Sequence, residues 1–438
     1  MTAVIERLQS TLGDQSFMLD DPNPLNKAFS QQIQALGSDF YKKIVPSHLV
    51  LNMEYSLLGQ QILRNIASQQ LEKKNQIIEQ ISAALLLAEI LENTYKKYLI
   101  VPREVRRLRE QQQLYRDVLA EIQKIDRVEV VDDDPVAVGL SFSNELRTRT
   151  IAVNLYRLLF LRGKRALDLI AMKDFSADWY RRMIVNLDDY TDPVIPHLGW
   201  LFYLPRLLVN LYLMGLHVIP GSWMTQDERD LGWQLRFQAQ LQRRWFELAN
   251  DIAWVGVGVV NCFIFVGALA PMATYLAIGF FAYDVVVAVI RAYIELNRLY
   301  ELRKQYQEMP LTAANKAEIE DHLKALDEQM KFEILRFGSH VLSTIGIFLA
   351  MCCAAPIFAL NPVIPLVGAL CLVIICLINF ALVPILNHKR PKDIIDAPSG
   401  VAELGIFGRP KNRPVASLPV LDNNLEEDEE PGGFCCSY

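Results

Sequence analysis

Cysteine, histidine and net charge are scarce in this 438-residue chain, and each shortage excludes a class of function. Of the seven cysteines, Cys262, Cys352, Cys353, Cys371 and Cys376 fall inside apolar segments, and only Cys435 and Cys436 lie elsewhere. That pattern supports neither a disulfide framework nor a zinc site. The six histidines, His48, His197, His217, His322, His340 and His388, are scattered without ligand spacing. A net charge of −6 supplies no bulk field for nucleic acid. Walker-type, GxSxG, HExxH and protein-kinase signatures are lacking, and Gly256-Val257-Gly258 has neither a third glycine nor a preceding strand. Asp132-Asp133-Asp134 has the look of a DxD cation site, but a solvated acidic turn before Pro135 is the simpler reading. No cofactor, metal, nucleic-acid partner or enzymatic activity is expected. The N-terminal MTAVIERLQSTLGDQSFMLDD has no basic n-region and no apolar h-region, so internal segments are expected to direct membrane insertion.

What the chain does have is apolar length. Residues 252–290 and 341–386 are nearly free of charge, and each is long enough to cross a bilayer twice. The first block divides at Pro271 into 252–270 and 272–290, each about 19 residues or ~28 Å of helix against a hydrocarbon core of ~30 Å. The second divides at Asn361-Pro362 into 341–360 and 363–386. Two helical hairpins and four crossings are predicted. Arg243, Arg244, Arg291, Arg298, Arg303, Lys331, Arg336, Lys389 and Arg390 flank their outer ends, while the tips at 269–274 and 359–364 carry no charge. By the positive-inside rule both termini and residues 291–338 are then cytosolic.

The predicted fold class is all-α, a helical cytosolic bundle or coiled coil followed by two transmembrane hairpins and a disordered acidic tail. Residues 1–190 read as the cytosolic domain. Leu51, Tyr55, Leu58, Ile62 and Ile66, then Ile78, Ile81, Leu85, Ala88 and Tyr95, follow three-and-four spacing, and Val105, Leu108, Tyr115, Val118 and Ile122 repeat it. The run RVEVV in 126–143 is read as part of a surface loop. Residues 191–250 are expected to be interfacial. Segment 194–219 is long enough to span, but Arg206 near its centre costs ~2.5–3.5 kcal/mol on the insertion scale and Pro205 interrupts it. Arg206, Asn210 and His217 would then form a narrow polar stripe on a helix lying in the interface or packed against the hairpins. Residues 251–290 are hairpin 1, 291–338 a stalk broken at Pro310, 339–388 hairpin 2, and 389–438 the tail. In the stalk Ile319, Leu323, Leu326 and Met330 keep heptad spacing.

Three polar residues inside the crossings are functional candidates because intramembrane polar groups are costly. Asp284 and Asn261 are expected to meet across hairpin 1, with Asn379 in hairpin 2 as a weaker partner. Ala273 and Ala277 would allow close helix approach.

The tail carries the remaining signal. Glu426, Glu427, Asp428, Glu429 and Glu430 precede Gly432, Gly433 and Phe434 near the C-terminus. This acidic block before a small and hydrophobic end resembles the translocation signal of Dot/Icm type IV secretion substrates from intracellular bacteria such as Legionella and Coxiella. The segments GWLFYLPRLLVNLYLMG and LGWQLRFQAQLQRRWFELAND look like those of helix-rich, multi-pass proteins of that group. The resemblance implies delivery into a host cell and residence in a host organelle membrane, and it carries over no catalytic residue. The expected function is therefore an effector that binds host proteins through the cytosolic helical seams, which also allow self-association. The alternatives are a membrane-shaping hairpin protein, and a transporter or membrane enzyme using Asp284 and Arg206. Cys435-Cys436-Ser437-Tyr438 departs from a CaaX box because Ser437 is not aliphatic.

Overall fold

The computed structural model describes residues 3–12, 27–67, 74–123, 141–172, 176–191, 194–310, 315–358, 360–361 and 363–391. Asp132 to Asp134, the RVEVV run and the acidic tail with Glu426 to Glu430 and Phe434 lie outside them. All regular structure among the described residues is helical.

The first six helices form the water-facing unit: α1 (Ala3–Leu12), α2 (Lys27–Gln34), α3 (Ser38–Ile44), α4 (His48–Ala67), α5 (Lys74–Asn93) and α6 (Pro102–Gln123). The spaced apolar residues read from the sequence do form its core, with Leu51, Leu58, Ile62, Ile81, Leu85 and Leu108 all fully buried. No large apolar side chain is exposed among the described residues of these helices. Between α5 and α6 the chain makes a π-helical turn, Thr94–Tyr98, and then places Ile100 at φ 49°. A β-branched residue in the left-handed region is a backbone outlier that the surrounding packing must hold.

The remaining elements are α7 (Ser141–Ala171), α8 (Asp178–Thr191), α9 (Ile195–Val218), the short α10 (Gln226–Asp230), α11 (Trp233–Phe263), α12 (Ala270–Glu308), α13 (Lys316–Cys352) and α14 (Val363–Lys389). Long-range contacts set their directions. Arg206 meets Asp251 while Trp200 meets Phe263, so α9 and α11 are antiparallel. Trp254 meets Phe281 and Arg291 meets Phe246 across α11 and α12. Arg303 pairs with Asp327 across α12 and α13. Asn379 meets Ser343 across α13 and α14, and Arg162 meets Cys376 across α7 and α14. Among the described residues six helices thus run between a base, where α1–α6 dock, and a tip formed by residues 264–269, 353–358 and α8.

Among the described residues four helices are long and apolar enough to cross a membrane: His197–Val218, Gly267–Glu308, Lys316–Cys352 and Val363–Lys389. Three match predicted crossings. The fourth corrects the sequence reading, because it is α9 rather than 252–270. Helix α11 stops at Phe263, and the chain turns through 264–266 and a 3-10 turn, Gly267–Leu269, with Gly267 at φ 60°. Pro271 lies in the first turn of α12, where its missing N–H costs nothing, instead of between two crossings. Helix α7 packs on α9 and α14, and α8 packs on α7. Helix α7 turns Leu158, Arg162 and Ala166 inward and leaves Val153, Tyr156, Phe160 and Leu167 exposed.

Helix α9 is inverted in the same sense. Its polar residues Arg206, Asn210 and His217 are buried, whereas Leu201, Leu208 and Tyr212 are exposed. Leu342, Ile374, Leu377 and Phe380 are likewise exposed on α13 and α14. Polar-inside, apolar-outside helices suit a hydrocarbon surrounding, and this chain is a multi-pass membrane protein.

Candidate functional site

The polar stripe of α9 does not face an interface. It forms a ladder with carboxylates brought up by α11 and α10. Arg206 grips Asp251 with two nitrogens, Nε to Oδ2 at 2.9 Å and a terminal nitrogen to Oδ1 at 2.5 Å. One turn along, Asn210 Nδ2 donates to Glu247 Oε2 at 3.1 Å. At the base end His217 Nδ1 lies 2.8 Å from Glu228 Oε1. Of the two placements expected for this helix, the structure has the one packed against the neighbouring helices, and Arg206 is tolerated there because Asp251, itself fully buried, neutralises it. Gly258 permits this approach, since a Cβ there would lie 2.3 Å from Cβ of Trp200.

The ladder ends in a cavity of about 400 Å³ between the bundle and the water-facing unit. Its walls come from α4, the Thr94–Tyr98 turn, the start of α6, and helices α9, α11 and α12. Five arginines line it, Arg103, Arg206, Arg243, Arg244 and Arg298, against three glutamates, Glu104, Glu247 and Glu295. Two of the carboxylates have their own cations: Glu104 pairs with Arg107, which lies outside the cavity lining, and Glu295 with Arg298. The strained Ile100 also lines the space. No sequence motif announces this site, because its residues come from six separate stretches.

The intramembrane candidates are arranged differently from expectation. Asp284 does not meet Asn261. It lines a small space of about 10 Å³ with Asn250, His340 and Thr344, and its Oδ2 has no hydrogen bond. Asn261 lies near the tip with its Oδ1 unsatisfied. Asn379 donates to Ser343 Oγ at 2.6 Å, one residue from Thr344. Of the two small residues, Ala277 packs against the inter-helix cluster of Phe281, Ile347 and Leu372.

At the opposite end, Glu54 of α4 accepts hydrogen bonds from Arg7 and Tyr306, and Arg7 also donates to Gln305. Gln61 and His322 pair at 2.8 Å nearby. Around them Leu57, Leu299, Leu302, Ile319 and Leu326 form one apolar cluster. The seams at 48–98 and 318–337 are thus closed within the protein. His48 is buried, its Nδ1 donates to the Val45 carbonyl, and desolvation holds its pKa down at about 4. No cluster of His, Cys, Asp or Glu suited to a metal occurs among the described residues. The chain matches no protein-family model, no curated protein and no solved structure.

Proposed function

We propose that the protein is a delivered effector anchored in a host organelle membrane, which acts by presenting its helical cytosolic unit to host proteins rather than by catalysis. The observation that carries the anchoring half is the division of the surface: large apolar side chains are covered in α1–α6 and exposed from Val153 onward. The two parts are joined by buried contacts through Glu54 and the Leu57 cluster, so the water-facing unit is held in a fixed orientation on the bundle. Because the seams are closed, partner binding falls to the polar outer faces of α1–α6 and of the α12–α13 stalk. Delivery rests on the acidic block at Glu426 to Glu430 and on Phe434.

Replacing the five acids by Gln should reduce translocation of a reporter fusion into host cells with expression and membrane insertion unchanged. Proximity labelling from α6 should then recover the same host proteins in repeated infections. Undiminished delivery after the acids and residues 434–438 are both removed would contradict the delivery half. Labelling no different from that of an unrelated membrane protein would contradict the partner half. A transport reading draws on Asp284, His340 and Thr344 sharing one intramembrane space, and proton or cation flux in proteoliposomes lost in Asp284→Asn would favour it.

A further inference from the structure

We infer that the junctional cavity is a binding site for a phosphate monoester, presented by the headgroup of an anionic membrane lipid. Three observations point to this chemistry. First, arginine is the side chain suited to phosphate, since its planar fork donates two hydrogen bonds to one group, and five arginines converge here from α6, α9, α11 and α12, of which Arg206 is held by Asp251 and Arg298 by Glu295. Second, the start of α6 opens on the same space through Ile100, Pro102, Arg103 and Glu104, adding the positive end of a 22-residue helix to the side-chain charge. Third, the volume of about 400 Å³ matches a small ligand or a lipid headgroup.

The level of the cavity selects the lipid as the source. Arg243 and Arg244 lie about 20 residues before the tip end of α11 at Phe263, or ~30 Å along the helix, which is one hydrocarbon thickness. The arginines therefore sit where lipid phosphates lie when the tip reaches the far interface. Trp223, exposed and donating its Nε1 to the Leu216 carbonyl at the base end of α9, is a residue type enriched at such boundaries. The carboxylates do not cancel the site, because Glu104 is matched by Arg107 outside the cavity and Glu295 by Arg298, which leaves Glu247 as the one lining glutamate set against the remaining arginines.

This inference goes beyond the effector reading and needs only that the bundle lies in a bilayer. It is tested with the full-length chain reconstituted in phosphatidylcholine vesicles, with and without a phosphatidylinositol phosphate, by measuring lipid binding and thermal stabilisation. The wild-type chain should bind the phosphorylated lipid. Combining Arg243→Gln with Arg244→Gln should weaken binding roughly 10- to 30-fold, at the scale of about 1 kcal/mol per basic residue near a membrane surface. The Lys pair at the same positions should recover part of the loss. Arg103→Gln, on the opposite wall, is the second variant if the double substitution fails to fold, and Arg64→Gln on the stalk-facing surface should have no effect. A soluble inositol phosphate that binds as tightly as the lipid would make the source a free phosphate and leave the site assignment standing. Equal lipid binding in wild type, the α11 pair and Arg103→Gln would overturn it, as would failure of the wild-type chain to bind either phosphate.

Discussion

Two buried arginine–carboxylate pairs show how one chain manages two solvents. Arg7 and Glu54 lie under the water-facing unit, inside a core that leaves no large apolar side chain exposed on α1–α6 among the described residues. Arg206 and Asp251 lie in the bundle, on helices whose outer surfaces are Leu, Tyr and Ile. Both pairs are equally hidden, at 5% and 0% exposure for one and 6% and 0% for the other. Their surroundings differ in where the apolar face points, inward in the first region and outward in the second. The position of the ion pair alone does not reveal which solvent surrounds a helix, and the opposite face does.

The largest expected effect comes from breaking the bundle pair. Arg206→Leu or Asp251→Leu alone strands a buried charge and should cost about 3–5 kcal/mol in detergent unfolding, whereas the double variant should recover most of the loss. Equal loss in single and double variants would mean that the pair positions something else. Exposed faces give the sharper comparison. Leu342, 71% exposed on α13, should cost ~2.5–3.5 kcal/mol of insertion free energy when changed to Lys, whereas a water-facing Leu would tolerate it.

A pH test separates the regions further. His48 ionises at about 4 when folded, below its ordinary value near 6.5, so the unfolded chain takes up the proton first. Its contribution is complete above about pH 6.5, falls as the pH drops toward 4, and changes no further below that. Hydrogen exchange at pH 4.5 should find α3–α4 weakened by about 2–3 kcal/mol relative to pH 7, and His48→Gln should flatten the dependence. Gly258→Ala should cost about 1–3 kcal/mol, because its Cβ would meet the Trp200 side chain. The smallest effect belongs to Arg64→Gln, which loses a half-exposed pair with Glu328 worth about 0–1 kcal/mol.

Much of this architecture was legible in the sequence where local signals suffice. The three-and-four spacing of 51–66 gave α4, Pro310 marked the break between α12 and α13, and Asn361-Pro362 marked the start of α14. The failures share a cause. Arg206 and Asp251 each end an apolar window when counted alone, yet they are 45 positions apart in sequence and 2.9 Å apart in space. Counting charges therefore keeps α9 out of the predicted crossings and cuts α11 short. The pairing expected for Asp284 failed because the turn was centred on Pro271. With the turn at 264–269, Asp284 lies beside Asn250, about three helical turns from Asn261. His340 was passed over as isolated because its neighbours come from α11 and α12.

The side on which α8 lies tests the account most directly. In a chain whose native cysteines are replaced, a cysteine at Asp189 on exposed α8 and another at Lys304 on the exposed stalk are labelled from each side of a sealed vesicle. The structure runs α7 from base to tip and α9 back again, so the two positions should react from opposite faces. Labelling of both from the same face would remove α9 from the membrane and contradict the account.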